Sequence, residues 1–197
     1  MLNTKPPGKR TGYAHPKCYA RTLNDCSQQI TREHYISKKL LERLEDFEAD
    51  GLAWLPEKKS LTAKALQSKV LCKRHNEALS PLDDNITNLY DMMRRWQDRK
   101  VVGDLVLDGE DLERWAIKVM FGLFASGSSQ LLDADSAPVD RTTTLPRRYM
   151  RILFGEKMPR GRGFAYAHDA LGKLRPASAR FRVDYAPGEV VPHAIVL

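Results

Sequence analysis

Cysteine is scarce in this chain, three residues in 197, and an odd number with no partner left over for the third does not suit a disulfide framework. Long apolar runs are missing too. No stretch approaches the roughly 18 apolar residues that a membrane-crossing helix needs, so no membrane role is expected. The opening residues, MLNTKPPGKRTGYAHPK, are basic without an apolar core, which argues against a secretory signal. Unpaired thiols and no export signal together predict a reducing, cytoplasmic setting. No internal repeat is visible. What remains, 29% charged and 42% hydrophobic residues, is the composition of an ordinary globular protein, large enough for one domain or two small ones.

The few cysteines are not scattered. Cys18 and Cys26 lie in CYARTLNDCSQQITREH, and Cys72 opens a Cys-x-x-His turn in LCKRHNEALSPLD. Four soft donors from two separated turns are what tetrahedral zinc requires, so Cys18, Cys26, Cys72 and His75 form the expected cage. Two further features accompany it. Glu33 and His34 are adjacent at the end of a β-prone run, and Asn76 directly follows the last expected ligand. Neighbours on a strand point to opposite faces, so Glu33 and His34 converge on one point only where the strand ends or kinks.

In this order, Cys…Cys…Glu-His…Cys-x-x-His-Asn, residues 14 to 90 resemble the HNH endonucleases of the ββα-metal fold. The resemblance implies a zinc-held ββα unit and metal-dependent hydrolysis of phosphodiester bonds in nucleic acid, with DNA the favoured substrate. It assigns His34 as general base, and Glu33 and Asn76 as ligands to a catalytic Mg²⁺ or Mn²⁺ distinct from the structural zinc. HNH enzymes usually carry a middle Asn that orients the base. None occurs from Tyr35 to His75, and Gln67 or Ser68 would have to replace it. Simpler roles compete: a structural strand histidine for His34, a surface carboxylate for Glu33, a helix cap for Asn76. A non-catalytic zinc-finger nucleic-acid-binding protein is the alternative function. A partner-binding protein using the Trp115 helix is a third.

Charge points the same way. The formal net charge is +7, and the distribution is uneven. Residues 101–140 hold two basic and eight acidic side chains, whereas residues 141–182 hold eleven basic and two acidic. A basic face is therefore expected from the later segment, with Lys73, Arg74, Arg147, Arg148, Arg151, Arg160 and Arg162 as nucleic-acid contacts.

The expected organisation is α+β: a flexible basic arm (1–13), a zinc-bound HNH-like domain (14–100), and a mainly helical C-terminal region with a few strands (101–197). Within it, periodicity predicts a strand over 29–37 and a helix over 38–50 stopped by Gly51. A short helix is expected within 58–68, then a strand at Lys69-Val70-Leu71. A helix after Asn76 should be disturbed by Pro81 and restart at an Asp83–Asn85 cap. Residues 101–108 read as a short strand pair or linker, 110–126 as the clearest helix and 130–146 as a loop. Residues 147–154 are a short amphipathic segment. Strands are expected at 164–168 and 181–185.

Overall fold

A computed structural model describes residues 2–44, 46–49, 52–55, 57–97, 108–129, 140 and 144–157, together with the strand backbones 178–185 and 192–196. The fold is mixed α and β. Its centre is a two-stranded antiparallel sheet of β1 (Ile30–His34) and β4 (Gln67–Cys72), and β4 runs straight into helix α2 (Lys73–Gln97). Ile30 pairs with Cys72 and His34 with Gln67, with a register shift between Thr31 and Glu33. Two strands alone are marginal in water. These gain support from α3 (Gly109–Ser126), which packs on β4 and α2.

The long connection between β1 and β4 differs from the expected helix over 38–50. Ser37 caps only one turn, α1 (Lys38–Leu41), after which β2 (Asp46–Ala49) begins. Leu40, Leu41 and Phe47 are still buried. One helical turn followed by a strand buries the same apolar spacing that a continuous helix would. β2 pairs antiparallel with β3 (Lys59–Ser60) and parallel with β5 (Ser178–Tyr185), which pairs antiparallel with β6 (Pro192–Val196). The short helix expected within 58–68 is a 3-10 turn, Ala63–Leu66.

α2 does not break at Pro81; it continues through it. Leu79 and Leu82, both fully buried, anchor the helix on either side of the proline. This core packing offsets the missing N–H, normally a loss of about 3 kcal/mol in a helix interior. Asp83 is consequently not a cap. α3 has the ends its sequence announces: the Asp108 carboxylate accepts from Glu110 N, and Gly127 closes the helix at φ 80°. Gly122 lies so close to Tyr35 that an added Cβ would sit 3.2 Å from that ring, so α3 packs tightly on the residue following His34. α4 (Arg147–Leu153) matches the expected amphipathic segment, and β5 contains the strand expected at 181–185.

The N-terminal arm, expected to be flexible, is tied to the body. Leu2 N donates to Asp111, Arg114 donates to Leu2 O, and buried Thr4 donates to Leu153 O. Buried Arg114 and Asp111 form an ion pair of 2.8 Å beneath it. A charged pair removed from water needs such extra partners, and the arm's backbone supplies them. The boundary placed at 100/101, the strand pair or linker at 101–107, the loop over 130–139 and the strand at 164–168 lie outside the described residues. Among the described residues no helix is long and apolar enough to cross a membrane.

Candidate metal centre and the histidine beside it

Two turns build the metal centre. In the first, Cys18 N donates to His15 O, a 3-10 turn follows at Arg21–Leu23, and Asn24 takes a left-handed φ of 52° that turns the chain toward Cys26. Asn tolerates that conformation better than most side chains. Tyr19 N donates to Val70 O, which pins this turn to β4. The second turn is the β4–α2 junction, where Cys72 ends the strand and His75 falls in the first helical turn.

The donor atoms of Cys18, Cys26, Cys72 and His75 all lie within 4.8 Å of one another, and all four residues are buried. His75 Nδ1 is 3.5 Å from Cys18 Sγ, 3.7 Å from Cys26 Sγ and 3.2 Å from Cys72 Sγ. A tetrahedron with Zn–S bonds of about 2.3 Å has edges of about 3.8 Å, close to these separations. None of the three cysteines is disulfide-bonded. The group can therefore hold a metal such as zinc, and among the described residues it is the one cluster of its kind.

Its electrostatics agree. Hydrogen bonds from Cys18, Cys26 and His75 hold the Cys72 thiol far below its ordinary range. The Cys18 thiol is pushed up by bonding to Cys26 and Cys72 and by burial. For Cys26, Cys18 pulls down while Cys72 and burial push up, to about 11. Three thiolates this close repel one another, and a bound cation would offset that repulsion.

Around the cage, Arg74 in α2 is a clamp. Its guanidinium meets the Asp25 carboxylate at 3.0 Å and donates to Pro7 O and Lys9 O, joining arm, knuckle and helix. Its side chain is only 15% exposed, so most of its donors are already engaged within the protein. Lys73 is exposed beside Glu77. On α4, Arg147 and Arg148 are exposed, the latter over the Tyr149 ring at 4.6 Å, while Arg151 pairs with Glu156 at 3.1 Å. Arg21 donates to Thr144 and so ties the segment leading into α4 to the cysteine knuckle. Arg160 and Arg162 lie outside the described residues.

His34 ends β1, half-buried. Burial lowers its pKa, Lys118 and Lys38 lower it further, and Asp83 and Glu42 oppose them. The ring is therefore neutral at pH 7.

Glu33 does not join His34 at a common point. It turns inward, 2% exposed, and its Oε1 lies 2.7 Å from Lys118 Nζ, close but off the line of a hydrogen bond. Lys118 Nζ donates instead to both Asp83 oxygens at 2.8 Å and to His34 O at 3.1 Å. Trp115 Nε1 also donates to Asp83. One ammonium facing two carboxylates leaves a surplus negative charge in the core. The Lys118 pKa accordingly rises, because the pull of Glu33 and Asp83 exceeds the cost of burial. The Glu33 pKa rises as well, because burial outweighs the help it gets from Lys118. Asn76 donates its amide to Thr31 Oγ1 at 3.0 Å. Glu33 therefore does not fit as a ligand to a labile Mg²⁺ or Mn²⁺, because it faces Lys118 inside the core, whereas Asn76 uses only its amide N–H on β1.

Lys118, Asp83 and Trp115 are the site residues that sequence reasoning missed. The signal was a lysine on the apolar side of α3, three positions from Trp115, where a charge persists only with a partner. Compared with protein-family models, curated proteins and solved structures, the chain matches none.

Proposed function

We propose that the chain is an HNH-type endonuclease, cutting phosphodiester bonds in DNA from a zinc-held β1–β4–α2 unit with His34 as general base. The observation that carries this reading is one juxtaposition. A Cys3His cage clasps an antiparallel strand pair that continues directly into a helix, and a neutral histidine stands at the end of the first strand.

When bound, zinc supplies folding free energy and rigidity rather than a Lewis acid, because four protein ligands close its coordination. The remaining work belongs to the chain. His34, neutral at pH 7, takes the proton of a water whose oxygen attacks phosphorus. The P–O bond to the leaving oxygen then breaks, and that oxygen is protonated from solvent. Gln67, paired with His34 across β4, serves in place of the missing Asn. Exposed Arg147 and Arg148, beside the zinc knuckle, bind backbone phosphates and set the duplex against the site.

The second reading, a zinc-finger DNA-binding module without hydrolysis, is favoured by the engagement of Glu33 with Lys118. Plasmid nicking by the full chain separates the two, with His34→Ala as control. Nicking that disappears in the variant while DNA retention in a gel shift persists supports the nuclease. Retention without nicking in the wild type supports the binding module, and neither retention nor nicking defeats both.

A further inference from the structure

The HNH-like unit, as proposed, ends with α2, yet the side chain that bonds the His34 carbonyl comes from α3. We propose that Lys118 is a positioning residue for His34: it fixes the backbone of the base through the His34 carbonyl and, balanced by Asp83, sets the charge environment of the imidazole.

The geometry is specific. Lys118 Nζ sits 3.1 Å from His34 O and 2.8 Å from both oxygens of Asp83, and Glu33 Oε1 is 2.7 Å away on the other side. The lysine is 1% exposed, so its long side chain has no freedom to leave this arrangement. Trp115, one turn earlier on α3, donates to the same Asp83, and Gly122, one turn later, is pressed on Tyr35. Lys118 and Gly122 thus hold the segment 33–35, while Trp115 steadies the Asp83 that pairs with Lys118. This arrangement does for His34 what an orienting side chain does elsewhere: it leaves the strand end one position to occupy.

A lysine that only filled space would need neither partner. A buried ammonium flanked by two carboxylates costs desolvation that an apolar residue would avoid. Its charge is also felt by the ring. The charged groups facing His34 are Lys118 from α3, Asp83 from α2, and Lys38 and Glu42 in and just after α1, while Gln67 on β4 is neutral. Lys118 and Lys38 disfavour the imidazolium; Asp83 and Glu42 favour it.

This inference leans on the nuclease reading for its purpose, but the test needs no substrate. Histidine resonances of the full, metal-loaded chain are titrated by NMR, and His34 is identified as the signal lost in His34→Gln. In Lys118→Met the His34 midpoint moves up, because a repelling cation is gone and Asp83 is released. In Asp83→Asn it moves down, because an attracting carboxylate is gone while the amide oxygen still accepts from Lys118. Mere loosening of the core would hydrate the ring and raise both. Opposite shifts support the proposal; shifts of one sign, or none, overturn it. Should Lys118→Met not fold, Asp83→Asn decides alone, a fall supporting the proposal and a rise or no change overturning it. Absence of cutting by the wild type would strike the nuclease reading and leave these titrations standing. If the wild type does cut, the acidic limb of its kcat/KM profile follows the His34 midpoint in each variant, and a limb that stays put overturns the proposal.

Discussion

Replacing Lys118 by methionine keeps nearly the same side-chain length and removes only the charge and its hydrogen bonds. Two carboxylates then lose their cation, and they do so unequally. The Asp83 side chain is 23% exposed and can rehydrate, whereas that of Glu33 is 3% exposed and cannot. Breaking a buried pair by removing one partner costs about 3–5 kcal/mol. Most of that cost should fall on Glu33, and it is a large share of a domain stability of about 5–15 kcal/mol. Glu33 has one escape, which is to take up a proton. Its pKa is already raised by burial, and losing Lys118 raises it further. The penalty should therefore be large at pH 7 and clearly smaller at pH 5, where protonation neutralises the orphan. Urea unfolding at the two pH values measures this directly. Adding Glu33→Gln to Lys118→Met should recover part of the loss at pH 7. A loss below about 1 kcal/mol at pH 7, against the 3–5 expected of a broken buried pair, would refute the reasoning. So would an equal loss at both pH values.

Two further predictions concern charge in the wild-type fold. Because the folded-state pKa of Glu33 lies above 4.5, the folded protein holds more protons than the unfolded chain from pH 4.5 up to that raised value. This contribution to stability is present at low pH and falls as pH rises through the window. His34, lowered below 6.5, contributes the opposite slope, so subtracting the pH–stability curve of Glu33→Gln from that of the wild type isolates Glu33. The difference should decline with pH. Arg74→Ala should loosen the N-terminal arm around Pro7 and Lys9 and cost about 1–3 kcal/mol, read by urea unfolding and faster proteolysis there, because two carbonyls lose their donor and buried Asp25 loses its cation while keeping the Thr11 N–H. Arg147→Ala with Arg148→Ala should leave unfolding unchanged and weaken DNA retention with a shallower salt dependence.

The parts of this fold written in local sequence were legible. The Cys-x-x-His turn and the earlier pair of cysteines named the four residues that cluster, since metal ligands need a spacing the chain cannot disguise. Residues 110–126 read as the clearest helix and lie within α3, and Lys69–Leu71 read as a strand inside β4. What was not legible depends on partners distant in the chain. The run from Leu40 to Phe47 satisfies a helix by spacing, yet pairing with β3 and with β5 makes its second half a strand. Pro81 should break a helix, yet the burial of Leu79 and Leu82 carries α2 through it. Glu33 beside His34 looks like a catalytic pair, but a lysine 85 positions later claims the carboxylate. A basic arm and Arg74 looked like surface charge, and they are bound to each other.

Everything in the candidate site stands on the two turns that hold β1 against β4. Elemental analysis of the purified chain, with X-ray absorption at the zinc edge, tests that foundation. The account predicts one zinc per chain in a shell of three sulfurs and one nitrogen, with binding abolished in Cys72→Ala. A chain purified from zinc-supplemented cells without bound metal, or one that keeps its zinc in Cys72→Ala, would contradict it.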